Sequence, residues 1–229
     1  MPFEVQHLSK RFGKLHALTD VSFHVRAGEL LALIGPNGAG KSTLFECLAG
    51  VLPYESGSVR CKDRPVGPQD LFYVPDGIAP WAAQPVAWVL DFTIGFFGGQ
   101  RERCEEVIAQ LDLEALLRQP LGTLSKGQRK RALLAVGLLT PQPVLLIDEP
   151  LDGLDLRQMR DVAVALRVHS ERGRTLFLSI HQISDAARFC DRFVLLSGGR
   201  ICGEGTLAEL GTLAGVESGD LEEVFLALT

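Results

Sequence analysis

A glycine-rich run with one lysine and two hydroxyl residues follows the apolar segment Leu30–Ile34. The run consists of Gly35, Pro36, Asn37, Gly38, Ala39, Gly40, Lys41, Ser42 and Thr43. Glycines allow a backbone to wrap around phosphate groups, and the N–H groups at a helix start attract anions. In a strand–loop–helix setting, Lys41 would reach the β- and γ-phosphates of a nucleotide and Ser42 would hold Mg²⁺. The pattern therefore predicts a phosphate-binding loop rather than a glycine-rich turn without a ligand.

Two adjacent carboxylates, Asp148 and Glu149, end a second apolar segment, Val144–Ile147. Charged groups at the end of a buried strand need a cation or solvent beside them, and Mg²⁺ meets that need. Asp148 is expected to contact the ion through water. Glu149 is expected to orient or deprotonate an attacking water as a general base, so the pair predicts hydrolysis.

A third polar segment, Leu124–Gln128, lies between these two, and its Ser125 is of the residue type that caps helix N-termini. With the three motifs in this order, the chain resembles the nucleotide-binding subunit of ATP-binding-cassette (ABC) transporters over about residues 3–210. The resemblance implies ATP and Mg²⁺ as cofactors. It also implies that Ser125, Gly127 and Gln128 face the γ-phosphate held by a second copy of the domain.

The resemblance assigns roles to residues outside the three motifs as well. Phe12 matches a position where an aromatic ring stacks on adenine, with an ordinary core phenylalanine as the alternative. His181, after the apolar run Thr175–Ile180, matches the histidine that meets the γ-phosphate, although a histidine after a strand is often structural. The loop Asp152–Asp155 matches a segment that bridges two copies of the domain.

Two positions depart from the family pattern. Lys126 stands where a second glycine is usual, and we expect its ammonium group to point to solvent. Asp76 stands where the family has a glutamine that contacts Mg²⁺ and the membrane subunit. Because an ionised carboxylate only accepts hydrogen bonds and is one methylene shorter, we expect Asp76 to have a water-mediated metal role or a coupling role. The alternative is a plain turn at Pro75-Asp76-Gly77.

Apolar runs and helical periodicity alternate along the chain. The predicted elements are strands Val144–Ile147, Thr175–Ile180 and Phe193–Leu196 and helical stretches Trp88–Leu117, Leu156–Val168 and Ser184–Phe189. Their alternation predicts an α/β fold with a parallel sheet. The resemblance implies a P-loop NTPase core with an antiparallel β subdomain and an inserted helical lobe. We expect one domain over residues 1–229, with a core of about 1–77 and 139–210, a lobe of about 78–138 and a helical tail at 211–229.

The 229 residues carry a net charge of −5 and are 46% apolar, which suits one well-packed domain and predicts no general attraction to nucleic acid. The basic cluster Arg129–Arg131 is interpreted as a solvated helix face. Five scattered cysteines without a Cys-x-x-Cys pair favour reduced thiols and a cytosolic protein. The beginning of the chain lacks the layout of a signal peptide, and no apolar run reaches the roughly 18 residues of a membrane span.

From Gly77 to Gln100 the chain has one charged residue, Asp91, and many aromatic ones. The aromatic residues are Trp81, Trp88, Phe92, Phe96 and Phe97. We expect half of these rings to lie in the core of the lobe and the others to form an exposed apolar groove. A helix of the membrane subunit is expected to dock there, with Trp81 as the anchor.

These features predict an ATPase subunit that works as a homodimer or heterodimer at the cytoplasmic face of the membrane. It is expected to power a permease on another chain, with export favoured over import and no nucleic-acid partner. A soluble ABC ATPase of the cofactor-assembly type and a weakly hydrolysing ATP-dependent switch are the alternatives. DNA-acting relatives carry long coiled-coil arms, for which residues 42–125 leave no room. A small-molecule kinase would have no use for the Ser-x-Gly-Gln segment.

Overall fold

Two sheets with helices packed on them form the computed structural model, which describes residues 3–61, 64–216 and 219–229. The strands are β1 (Phe3–Phe12), β2 (Leu15–Val25), β3 (Leu30–Ile34), β4 (Ser56–Cys61), β5 (Arg64–Pro65), β6 (Leu71–Val74), β7 (Val144–Asp148), β8 (Thr175–Ile180), β9 (Arg192–Ser197) and β10 (Arg200–Gly205). The helices are α1 (Lys41–Leu48), α2 (Val86–Phe97), α3 (Arg101–Gln110), α4 (Lys126–Leu139), α5 (Leu156–Glu171), α6 (Ile183–Phe189), α7 (Leu207–Ala214) and α8 (Leu221–Leu228). Short 3₁₀ turns occupy Glu114–Leu116 and Leu121–Thr123. Parts of the predicted core and tail, residues 1–2, 62–63 and 217–218, lie outside the described residues.

The central sheet has the order β10-β9-β3-β8-β7-β6 and is parallel except for the antiparallel pair β9 and β10. Strands β3, β7 and β8 are buried along their whole length, in keeping with their uninterrupted apolar runs. Ile34 pairs with Ile180, and Asp148 pairs with Ser179, so the three strands end at the same level. The segments that follow them therefore meet at one edge of the sheet.

A second, antiparallel sheet of order β2-β1-β4-β5 shares a hydrophobic core with α1 and one face of the central sheet. Phe45 of α1 is fully buried at the centre of this core. Its ring lies 4.9 Å from that of Phe177 in β8, which in turn lies 5.6 Å from the ring of Phe23 in β2. Tight aromatic packing of this kind holds α1, and with it the end of the glycine-rich loop, against the sheet.

The other face of the central sheet packs with α2 to α8, so the predicted α/β class with an antiparallel β subdomain and a helical lobe is confirmed. The helical stretch predicted for Trp88–Leu117 is instead α2, α3 and a 3₁₀ turn. Gly98 ends α2 because it adopts a left-handed conformation with φ of 70°. Among the described helices, none combines the length and apolar character that crossing a bilayer requires.

The prediction of a solvated face for Arg129–Arg131 is wrong for two of the three residues. Arg131 is buried, and its guanidinium group donates to the carbonyl oxygens of Leu111 at 2.7 Å and Asp112 at 3.0 Å. The side chain of Lys130 is only 10% exposed. The reason is that α4 packs against β6, β7, α2 and α3 at once, which leaves it little solvent-facing surface.

We expect replacement of Arg131 by methionine to lower the free energy of unfolding by about 1–3 kcal/mol, because the carbonyl groups of Leu111 and Asp112 would lose their donor. Urea denaturation measures this change. Arg129→Met is the matched control, since the described part of the chain holds no hydrogen bond or ion pair of the Arg129 side chain. An equal loss of stability in both variants would contradict the assignment.

Candidate nucleotide site

The glycine-rich loop connects β3 to α1 in a conformation that side chains at its glycines would disrupt. Gly40 caps α1 with φ of 107°, and a Cβ atom there would lie 2.7 Å from the carbonyl oxygen of Ala17. A Cβ atom on Gly35 would lie 2.2 Å from the carbonyl oxygen of Leu196. Gly38 also has a positive φ, of 82°. The loop therefore forms a backbone-lined cradle that only glycines at these positions permit.

Lys41 lies at the base of this cradle and is buried. Its Nζ donates to the carbonyl oxygens of Gly35 at 2.8 Å and Pro36 at 3.3 Å. Burial lowers the pKa of Lys41, and the nearby carboxylates of Glu149 and Asp148 partly oppose that shift. An ammonium group held among carbonyl oxygens and facing the cradle suits an anionic ligand such as phosphate.

An open cleft of about 430 Å³ extends from the cradle across the edge of the antiparallel sheet. It is lined by Phe12, Leu15, His16, Ala17, Asn37, Gly38, Gly40, Lys41, Ser42, Thr43, Glu149, Gly198 and Gly199. Phe12 is 47% exposed at the mouth of the cleft, which excludes the alternative of an ordinary core phenylalanine. The Nζ atom of Lys10 lies 5.1 Å from the centre of its ring. A flat, exposed ring beside a phosphate cradle has the geometry needed to stack on a base.

Asp148 ends β7 and is almost fully buried. Its two carboxylate oxygens accept hydrogen bonds from the Oγ of Ser179 and, at 3.3 Å, from the hydroxyl of Tyr73. Burial and the nearby carboxylates raise the pKa of Tyr73, so its hydroxyl remains a donor. Among the described residues no cation forms an ion pair with Asp148. A buried carboxylate without a cationic partner fits the neighbourhood of a metal ion.

Glu149 follows Asp148 and lines the nucleotide cleft. Its backbone is left-handed, with φ of 48°, which is uncommon for a residue with a side chain. Its N–H donates to Ser179 Oγ at 2.9 Å, and its Oε2 lies 3.8 Å from Nδ1 of His181. The structure thus brings Lys41, Asp148, Glu149 and His181 together, because β3, β7 and β8 are neighbours that end at one level.

The third motif stands apart from this cleft, at the start of α4. Ser125 and Gln128 form a reciprocal capping box, in which the Oγ of Ser125 accepts from Gln128 N–H and the Oε1 of Gln128 accepts from Ser125 N–H. A Cβ atom on Gly127 would lie 3.0 Å from the carbonyl oxygen of Gly153. The predicted N-cap is confirmed, but none of the three motif residues lines the cleft of its own chain.

Both departures from the family pattern have partners within the chain. The side chain of Lys126 is 56% exposed, as expected, and its ammonium group also forms an ion pair with Asp152 at 2.5 Å. This hydrogen bond raises the pKa of Lys126 and lowers that of Asp152. Asp76 pairs with Lys130 at 3.0 Å. The carboxylates of Asp76 and Asp152 are therefore already balanced by lysines of α4.

Sequence reasoning missed three residues that hold the site together, namely Tyr73, Lys130 and Ser179. Tyr73 and Ser179 lie inside apolar strands, and no local pattern marks their contacts with Asp148. Lys130 had one signal that was available, its position four residues after Lys126, which places both lysines on one face of α4.

The phosphate-binding loop, the paired carboxylates and the separate capped helix, on this arrangement of sheets, define an ATP-binding cassette of the P-loop NTPase class. The family model for ABC transporters matches residues 18–152, which is more than half of the chain. The chain therefore belongs to the ABC transporter family, as an ATP-binding, ATP-hydrolysing subunit.

Relatives with known names cover most of the chain. The hemin import ATP-binding protein HmuV of Bradyrhizobium diazoefficiens is 37% identical over 91% of this chain and 84% of its own length. The SkfA peptide export ATP-binding protein SkfE of Bacillus subtilis is 29% identical over 86% of each protein. The solved structure of the ATP-binding subunit of an ABC transporter is 28% identical, with a TM-score of 0.90, and the match covers 100% of this chain and 99% of that one.

Replacing Gly40 by alanine is expected to weaken ATP binding at least about tenfold, because the added Cβ would collide with a backbone oxygen and displace the cradle. Calorimetric titration with ATP measures this effect. Gly50→Ala is the matched control: Gly50 lies just beyond the other end of α1, has a positive φ of 72° and has open space where a Cβ would stand. Equal ATP affinity in the two variants would contradict the cradle.

Proposed function

We propose that this chain hydrolyses ATP to power a membrane permease carried on another chain. The observation that carries the proposal is that Lys41, Asp148, Glu149 and His181 meet at one edge of the central sheet, where Lys41 and Glu149 line the cleft. The residues of the third motif do not line this cleft. The group of four residues suits hydrolysis of ATP. The third motif, since it lies outside the cleft of its own chain, can contact the nucleotide bound by another copy.

The cleft suits ATP group by group. N–H groups of the loop over Asn37–Thr43 and the start of α1 surround the phosphates, and the ring of Phe12 stacks on adenine. Lys41 then exchanges its contacts with the carbonyl oxygens of Gly35 and Pro36 for contacts with the β- and γ-phosphates. Ala39 and Gly40 allow the backbone to approach closely.

Mg²⁺ fits beside this loop. Ser42, the second residue of α1, would supply a hydroxyl ligand, and Asp148 would hold the ion through a water molecule. The bound ion would neutralise charge on the β- and γ-phosphates. We assign Asp76 a coupling role rather than a direct metal contact, since its carboxylate is paired with Lys130.

Glu149 is the proposed general base. Its carboxylate accepts a proton from water, the water oxygen attacks the γ-phosphorus, and the bond to the β-phosphate oxygen breaks to give ADP and phosphate. His181, with Nδ1 3.8 Å from Glu149, contacts the γ-phosphate. Because His181 directly follows β8, this contact links the γ-phosphate to the segment after that strand. Low exposure of these groups strengthens their electrostatic effect on the reaction.

A second copy of this subunit, or a related one, would complete the site. Ser125, Gly127 and Gln128 lie at the N-terminus of α4, and the start of a helix attracts anions. Since these residues do not reach the cleft of their own chain, a head-to-tail pair gives two composite sites. The loop Asp152–Asp155, which touches Gly127 through Gly153, lies at the same interface.

An exposed column of aromatic rings is the proposed docking surface for the permease. Trp88, Phe92 and Phe96 follow one another on the outer face of α2, and Trp81 packs against the first two with ring centres 6.2 and 5.3 Å away. All four are at least 41% exposed, so fewer of the predicted rings than expected lie in the lobe core. Trp81 also lines an apolar groove between β6 and α4.

The expected export direction gains no support from the relatives, because HmuV is named for import and SkfE, with lower identity, for export. We therefore propose transport at the cytoplasmic face of the membrane and assign no direction. The switch-like alternative loses its main support, since Asp76 and Lys126, the two departures on which it rests, are both paired within the chain.

Glu149→Gln is expected to retain Mg-ATP binding and to lower turnover by ~10²–10⁴-fold, because an amide of the same size does not take a proton. Phosphate release measured with purified protein tests this. Glu105→Gln, an exposed change of the same kind on α3, is the matched control. Turnover of the Glu149 variant within about threefold of the wild type would exclude the role of base.

The same variant tests the composite site. With saturating Mg-ATP, Glu149→Gln should accumulate as a dimer in size-exclusion chromatography, since ATP joins the copies and is not cleaved. The variant would be tested by itself, with a related ATPase subunit and with its permease. If no ATPase dimer forms under any of these conditions, the head-to-tail arrangement is wrong.

Trp81→Ala is expected to weaken association with solubilised membrane proteins at least about tenfold while leaving ATP binding unchanged, because a large ring at an interface centre contributes strongly to binding. Co-purification from detergent-solubilised membranes of the native host measures the loss. Leu226→Ala removes a side chain that is 76% exposed on α8 and serves as the control. Unfolding of the Trp81 variant with unchanged association would place Trp81 in the core instead.

A further inference from the structure

Lys130 joins the helix of the third motif to the catalytic strand end. Its Nζ donates to the carbonyl oxygen of Glu149 at 2.5 Å and lies 3.0 Å from Oδ1 of Asp76. The side chain of Lys130 is 10% exposed and that of Asp76 is 31% exposed, so the ammonium group itself is largely shielded from water. One ammonium group thus bridges the loop after β6 and the residue after β7.

The backbone of Glu149 needs such support. With φ of 48°, it occupies a left-handed conformation that persists only where surrounding contacts impose it. On its N-terminal side, the N–H of Glu149 donates to Ser179 Oγ at 2.9 Å. On its C-terminal side, the carbonyl accepts from Lys130 at 2.5 Å and from the N–H of Asp152 at a longer 3.3 Å.

The contacts on the two sides of Glu149 come from different elements of the fold. Ser179 belongs to β8, the strand beside β7, and so to the same sheet as Glu149. Lys130 belongs to α4, whose first residues form the third motif. Lys126, one turn earlier on α4, pairs with Asp152 and holds the next part of the same loop. Helix α4 therefore contacts the segment after β7 through two lysines.

We propose that Lys130 is a positioning residue for ATP hydrolysis. Its ammonium group holds the peptide of Glu149 so that the carboxylate points into the cleft, and Asp76 holds Lys130 in place. Asp76 thus acts on hydrolysis through Lys130 rather than through the metal ion. The inference rests on the proposed role of Glu149 as the base. It also implies that the orientation of α4 relative to the central sheet affects the position of the Glu149 carboxylate.

Lys130→Met, which keeps the length of the side chain and removes its charge, should lower the rate of single-turnover ATP hydrolysis by ~10–100-fold, as expected for a misplaced catalytic group. ATP affinity should change less than about twofold, because Lys130 does not line the nucleotide cleft. Lys130→Arg should recover most of the rate. Arg129→Met, the neighbouring change on α4, should leave the rate unaltered.

Two combined variants separate positioning from general stability. In a Glu149→Gln background, Lys130→Met should add almost nothing, because it acts through the missing carboxylate. Asp76→Asn should lower the rate in the wild type and add little to Lys130→Met. If Glu149→Gln is inactive while Lys130→Met hydrolyses at the wild-type rate, this inference fails and the proposed function stands. If Glu149→Gln remains active, the proposed function itself fails.

Independent, multiplicative losses in the double variants would also overturn the inference, since they would place Lys130 outside the path to Glu149. Thermal unfolding of each variant provides the folding control. A lower rate that parallels a lower unfolding temperature, without recovery in Lys130→Arg, would reduce Lys130 to a structural residue.

Discussion

The register of three parallel strands is the constraint on which the site depends. Main-chain hydrogen bonds align the ends of β3, β7 and β8, so the phosphate loop, the paired carboxylates and His181 leave the sheet at one edge. Those strands are buried on both sides, and their register is difficult to shift without exposing apolar side chains. The proposed catalytic groups are therefore placed by rigid elements, although each of them stands on or just beyond a strand end.

A second set of contacts links the helical lobe to that edge. Lys126 and Lys130 project from one face of α4 and reach Asp152, Asp76 and the backbone of Glu149. Each unusual acidic or basic residue thus has a nearby opposite charge, and in a partly buried setting an unpaired charge would be costly. The two departures from the family pattern are best understood together with these partners, since neither stands alone in the structure.

The proposed docking surface lies close to these contacts. Val74, Pro75 and Ile78 line both the apolar groove beside Trp81 and the pocket that contains Asp76 and Lys130. A partner helix in the groove would press on the same short segment that carries Asp76. Closely packed segments transmit displacement. A partner bound in the groove could therefore shift the proposed catalytic end of β7 through this segment.

The glycine-rich loop, the capped helix and the α/β architecture followed from the sequence, because glycine conformation, helix capping and apolar periodicity are local properties that neighbouring residues determine. The capping box of Ser125 and the buried strands Val144–Asp148 and Thr175–Ile180 are examples. Only the tertiary structure decided three other features. These are the burial of Arg131, the ion pairs of Lys126 and Lys130, and the hydrogen bonds of Ser179 with Asp148 and Glu149. These contacts join elements far apart in the chain, and no local pattern encodes how α4 packs against the ends of β6 and β7.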